Sequence, residues 1–130
     1  MRSIAPPLGT RNKNIPMDIS TRKQGGVQVI RLKGPLRLGD AVDGFRNSVV
    51  TAIDEGETNF VLNLADVPMI DSSGIGELIR LHTRLKRDGG EIKLVNPGKF
   101  VLHTMNLVKI VSMFDIHDSD EAAAKAFGAE

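Results

Sequence analysis

Phe60-Val61-Leu62-Asn63-Leu64-Ala65-Asp66-Val67-Pro68-Met69-Ile70-Asp71-Ser72-Ser73-Gly74-Ile75-Gly76-Glu77-Leu78 is the stretch around which the rest of the chain is organised. Its first five residues are nearly all apolar, as expected of a central strand covered on both faces. A short turn follows at Asp66 to Pro68. Beyond it, Ile75, Leu78, Ile79, His82 and Leu85 recur at i, i+3, i+4, i+7 and i+10, the spacing of one helical face. Asp71, Ser72 and Ser73 stand just before that face, where their oxygens can accept the unpaired N–H groups of a first helical turn. Gly74 and Gly76 are poor helix formers, and their lack of side chains would let another molecule approach the serine hydroxyls closely. A strand, a turn and a helix with serines at its mouth make a place for chemistry or docking.

The flanks supply the rest of a sheet. Met17 to Arg22 and Val27 to Leu32 are two β-rich runs around Gln24-Gly25-Gly26, which reads as a hairpin. Gly34-Pro35 ends the second run, because proline cannot donate to a ladder. From there Ala41, Val42, Phe45, Val49 and Ile53 share a helical face, with Asp40 as its expected N-cap and Gly56 as its stop. The central helix is expected from Ser73 to Arg87. Arg84, Lys86 and Arg87 complement its negative end and Gly89-Gly90 stops it. Glu91 to Val95 predicts a strand, Phe100 to Val108 a short helix, Met113 to Ile116 a last strand, and Ser119 the cap of a helix ending near Phe127. The order β-β-α-β-α-β-α-β-α predicts an α/β fold, a mixed, mostly parallel sheet of about five strands with about four helices packed on it. Met1 to Pro16 lacks apolar periodicity and is expected to be a disordered extension, with the single domain spanning 17–128.

Composition narrows the function. A length of 130 residues suits one domain, and a net charge of +1 gives no broad basic field for nucleic acid. Aromatic residues are 4% of the chain, with no Trp or Tyr, so stacking on bases is not expected. The absence of Cys removes disulfides and thiol chemistry and fits a cytoplasmic protein. No apolar run of about 18 residues predicts a membrane span, and no apolar segment behind Arg2 predicts a secretory signal. His82, His103 and His117 lack metal-ligand spacing, so neither a metal nor a cofactor is expected. His82 falls on the apolar helix face and reads as a core histidine. Ser72 sits in no Gly-x-Ser-x-Gly elbow, so an enzyme using Ser72 with a histidine is the weakest reading.

These residues also carry a family resemblance. The strand into Leu62-Asn63-Leu64, the turn at Asp66-Val67 and the run Met69 to Gly76 together resemble the central motif of STAS domains, most closely the bacterial anti-sigma-factor antagonists. Leu32 to Leu36, Lys86 to Ile92, and Met113 to Ala122 resemble the family's first loop, its helix–Gly-Gly–strand passage and its C-terminal strand and helix. The resemblance spans Met17 to Phe127.

It implies a non-enzymatic, partner-switching regulator of transcription. The unphosphorylated form binds an anti-sigma factor that is also a serine kinase. Phosphorylation of Ser72 releases it, and a serine phosphatase resets it. The partner-binding surface implied comprises Asp71, Ser73, Gly74, Ile75 and Gly76, flanked by Arg37 and Asp40 of the preceding loop, on a monomer or weak dimer. No membrane or direct nucleic-acid partner is implied. Ser73 is read as a cap or a supporting hydrogen-bonder. One departure stands out: Arg37 falls where antagonists usually carry an Asp, and Asp40 lies three residues on. That departure keeps a second reading open, a divergent STAS scaffold that is stressosome-like or associated with a transporter. The plain alternative for Asp71 to Ser73 is a helix cap alone.

Overall fold

The structure, a computed structural model, describes residues 17–128. The extension expected over Met1 to Pro16 lies outside the described residues. Five strands form one sheet in sequential order: β1 (Asp18–Gln24), β2 (Val27–Lys33), β3 (Asn59–Asp66), β4 (Glu91–Val95) and β5 (Ile116–His117). β1 and β2 are antiparallel, joined through Gly25 at φ +62°, and every later pair is parallel. The three parallel pairs require crossovers, and helices α1 (Asp40–Asp54), α2 (Ser72–Arg87) and α3 (Lys99–Leu107) supply them; α4 (Asp120–Ala126) follows the last strand.

The alternation of side chains along the strands divides the core in two. Ile30 and Leu32 of β2, Phe60, Leu62 and Leu64 of β3, and Ile92 and Leu94 of β4 face α1, α2 and α3, meeting Phe45, Leu78, Leu81, Leu85 and Val101. Their neighbours Val27, Val29, Val61 and Val95 point the other way, onto Ala123 and Ala124 of α4. A strand buried on both faces explains why Phe60 to Leu64 shows no polar alternation.

On the α4 side two polar residues are buried and paired. Asn63 donates from Nδ2 to Asp120 at 2.8 Å and accepts the Ala65 N–H through Oδ1 at 2.9 Å. Lys93 is held by Asp115 at 2.7 Å and Glu91 at 3.1 Å. Burial alone would lower the Lys93 pKa, but these two carboxylates outweigh it and raise it. His82 is buried in the other layer, as expected; its Nδ1 accepts the Ile92 N–H at 3.2 Å and its ring lies 4.4 Å from Phe114.

Two local expectations are corrected. The N-cap of α1 is Gly39, not Asp40: Gly39 turns the chain at φ +112°, a conformation suited to glycine, and Asp40 becomes the first helical residue. The last strand is not Met113 to Ile116. Val111–Met113 form a 3-10 turn that folds Phe114 into the core against His82, and only Ile116 and His117 pair, with Leu94 and Val95.

Candidate functional site at the mouth of the central helix

The loops after β2 and β3 zip together and deliver the start of α2 to one edge of the domain. Gly34 N–H donates to Asp66 O at 3.0 Å, Leu36 N–H to Met69 O at 3.0 Å, and Asp71 N–H to Leu36 O at 3.2 Å. Leu36 and Ile70 form an isolated parallel bridge, and both are buried. Asp71 then closes the junction with its side chain. One carboxylate oxygen accepts the Gly74 N–H at 2.8 Å and caps α2; the other accepts the Leu38 N–H at 2.9 Å and clamps the loop. Burial alone would raise the Asp71 pKa, but the N–H groups of Leu38, Gly74 and Ser73 outweigh it and hold the carboxyl below its ordinary value.

Because Asp71 is the cap, the serines are left free. Ser72 is the first residue of α2 and exposed; Ser73 is half-buried. Neither hydroxyl makes a hydrogen bond among the described residues, so Ser73 is not the cap it was expected to be. Ser72 Oγ thus stands in water at the positive end of a 16-residue helix.

The two glycines have opposite surroundings. A Cβ on Gly74 would lie 2.6 Å from the Leu36 carbonyl oxygen and 2.7 Å from Ile70 Cγ1; its bareness lets the chain's own loop pack against α2. A Cβ on Gly76 would meet nothing within 4 Å. Gly74 and Ile75 are buried, so the outward part of the site consists of Ser72, Ser73 and Gly76 from α2, with Arg37 and Asp40 exposed on the adjoining loop. Arg37 forms no ion pair among the described residues, and it sits between Leu36 and Leu38, which both bind the backbone or side chain of Asp71.

Three neighbours acquire roles that the sequence did not assign them. Leu38 is 77% exposed and Met69 36%, two apolar side chains flanking the serines. Strand alternation from buried Leu36 would have turned Leu38 inward; the Asp71 clamp turns it out. Glu77, one turn into α2, is 7% exposed and binds Arg46 of α1 at 3.2 Å and Arg80 of α2, which ties the first helix to the second beside the site. An Arg–Glu spacing across two helices leaves no mark in a linear sequence. Among the described residues no cluster of His, Cys, Asp and Glu is arranged to hold a metal ion, and no helix is long and apolar enough to cross a membrane.

Comparison with known proteins agrees with this architecture. BtrV of Bordetella bronchiseptica, provisionally assigned as an anti-sigma factor antagonist, is 26% identical over 111 residues, which cover 85% of this chain and 95% of that protein. Sulfate transporter 2.1 of Arabidopsis thaliana is 28% identical over 115 residues; they cover 78% of this chain, which matches only 16% of the transporter's length. Among solved structures, the anti-sigma factor antagonist SpoIIAA in its unphosphorylated form superposes with a TM-score of 0.66 at 25% identity, covering 85% of this chain and 97% of that one. The phosphorylated form from Bacillus superposes with a TM-score of 0.67 at 24% identity, over 84% and 99% of the two chains. Residues 18–123 match the STAS domain family as a whole, and the chain belongs to that family.

Proposed function

We propose that this chain is an anti-sigma factor antagonist whose binding to an anti-sigma factor with serine kinase activity is switched off by phosphorylation of Ser72. The observation that carries this reading is the division of labour at the mouth of α2. Asp71 does the capping, and the adjacent Ser72 hydroxyl is exposed and without an internal partner. In the proposed step Ser72 Oγ attacks the γ-phosphorus of ATP on the partner, ADP leaves, and the hydroxyl proton passes to a base of that kinase. A serine phosphatase returns the serine by hydrolysis. The phosphoryl group brings about −1.5 to −2 charges to a helix N-terminus, which accommodates them without refolding.

On this reading Ser73, Gly76, Arg37 and Asp40, with Leu38, form the face the partner covers, and the domain works in the cytoplasm as a monomer or weak dimer. Asp71, Gly74 and Ile75 support that face from beneath. Arg37 gives the adjoining loop a guanidinium with no ion pair among the described residues, the group best suited to pair with a phosphoserine.

The test is intact mass and site mapping after incubation with ATP and the candidate anti-sigma kinases of the host. One phosphoryl group on Ser72, constitutive partner binding by Ser72→Ala and weakened binding by Ser72→Asp are the expected results. Phosphorylation by none of the candidates, with a folded protein, overturns the switch. The second reading, a scaffold or transporter-associated STAS subunit without sigma control, is favoured by the similarity to a sulfate transporter and by the free charge of Arg37. A stable multimer that binds no anti-sigma kinase would support it.

A further inference from the structure

The exposed side of α2 does not end at the serines. Gly76, Ile79, Arg80, Leu81, Thr83, Arg84 and Arg87 line a shallow groove of about 450 Å3 along the helix. At 100° per residue all of these but Leu81 fall within a stripe about 140° wide, and at 1.5 Å per residue it runs roughly 16 Å from Gly76 to Arg87. Leu78, His82 and Leu85 are buried on the opposite side and Leu81 is buried at the groove's inner edge, so the stripe faces solvent along its length.

Its charge is uncompensated at the far end. Arg80 is bound to Glu77, which also binds Arg46, and Arg46 in turn binds Asp43, so that four-residue cluster is neutral. Arg84 and Arg87 have no carboxylate within 4.0 Å among the described residues. The helix macrodipole accounts for cations in the last turn of α2. It does not account for a trough between them, with a bare glycine at one end and half-buried Ile79 within it.

We propose that this groove docks an acidic helical segment of a partner protein. Two carboxylates one turn apart would meet the free Arg84 and Arg87, a third one turn on would share the exposed guanidinium of Arg80 with Glu77, and one apolar side chain would cover Ile79. Gly76 lets the partner's backbone approach closely. The chemistry favours a peptide over nucleic acid, because two free cations on a chain of net charge +1 are too few to grip a phosphate backbone. It favours a peptide over a lipid surface, because the feature is concave and no large apolar side chain projects from it. This inference does not depend on modification of Ser72.

The experiment titrates the 15N-labelled chain with a synthetic helical peptide carrying Glu at i, i+4 and i+8 and one Leu. The control is the same peptide with Lys in place of Glu. Expected are amide shifts centred on Gly76 to Arg87 for the Glu peptide alone, and an affinity that falls with added salt. Arg84→Glu with Arg87→Glu should weaken it at least tenfold. The neutral pair Arg84→Gln and Arg87→Gln, which spares the helix end a reversed charge, should give an intermediate loss. Shifts centred elsewhere, equal binding of both peptides, or affinity unchanged by charge reversal overturns the proposal. So does arginine-dependent recruitment to phosphatidylserine vesicles without peptide binding, which would make the occupant a lipid surface.

Discussion

Gly74→Ala and Gly76→Ala should change stability in opposite directions, although the two residues are only two positions apart in the first turns of one helix. At position 74 the new methyl would sit 2.6 Å from Leu36 O and 2.7 Å from Ile70 Cγ1, both closer than real Cβ contacts allow. Neither neighbour can give way cheaply. The Leu36 carbonyl accepts the Asp71 N–H at 3.2 Å, and Ile70 is 3% exposed. Overpacking of this kind costs about 1–3 kcal/mol, against which alanine recovers at most about 1 kcal/mol of helix propensity. For a contact with a fixed backbone carbonyl the upper part of that range, about 2–3 kcal/mol, applies, and a net loss of about 1–2 kcal/mol follows. At position 76 nothing lies within 4 Å of the added methyl, so only the propensity gain of about 0.5–1 kcal/mol remains. Urea unfolding measures both. With a slope of about 2 kcal/mol/M, the midpoint should fall by roughly 0.5–1 M for Gly74→Ala and rise by about 0.3–0.5 M for Gly76→Ala. A Gly74→Ala protein as stable as wild type would refute the close approach of the loop to α2. Equal losses at both sites would show that backbone freedom, not packing, is what the glycines provide.

Asp71→Ala removes two backbone hydrogen bonds to a carboxylate, one capping α2 and one holding Leu38, and should cost about 2–3 kcal/mol by thermal unfolding, with faster amide exchange at Leu38. Because the folded Asp71 pKa is depressed, its contribution is fully present above the ordinary value of about 3.9 and is lost as pH falls through the lower folded value; the variant should lack that acid limb. Burial, opposed in part by Glu91, lowers the His82 pKa. The unfolded chain therefore binds the proton first, and stability should fall as pH drops below about 6.5, with a slope of at most about 1.4 kcal/mol per pH unit from this group. Comparing wild type with His82→Gln between pH 7.5 and 5.5 isolates that slope, and equal slopes would remove the assignment.

The parts of the fold that were legible in the sequence are those whose signal is local. β2 and α2 show their periods over five or more residues, β3 shows an unbroken apolar run, and Ser119 does accept the Ala122 N–H at 3.0 Å to start α4, as its position before an acidic turn suggested. What escaped is set by contacts between distant positions. Whether a bare glycine faces a partner or its own chain depends, for Gly74, on a carbonyl 38 residues earlier, at Leu36. The two-residue β5 carries no period, and the backbone around Phe114 follows the demand of that ring to reach His82. Site residues were legible as a cluster, Asp71 to Gly76, because the cap, the serines and the glycines are contiguous. Their separation into an inner set and an outer set was not, since Asp, Ser and Gly are all compatible with either.

That separation bears on how a phosphate at Ser72 could act. Everything that fixes the mouth of α2 lies beneath the serine: the Leu36–Ile70 bridge, the two bonds of the Asp71 carboxylate and buried Gly74. The Ser72 side chain is exposed and makes no hydrogen bond among the described residues, so modifying it removes nothing from that scaffold. A conformational switch would need two arrangements of similar energy, and a second one here would have to break these interlocking backbone bonds. The change must then be read at the surface. One phosphate charge facing a single like charge at about 4 Å is worth about 4 kcal/mol at an effective dielectric of about 20, before screening. Even half of that is a change of about thirtyfold in affinity, because each 1.4 kcal/mol is a factor of ten. A rigid domain with one exposed hydroxyl therefore suffices for a switch, provided the partner presents an acidic or closely packed surface to it.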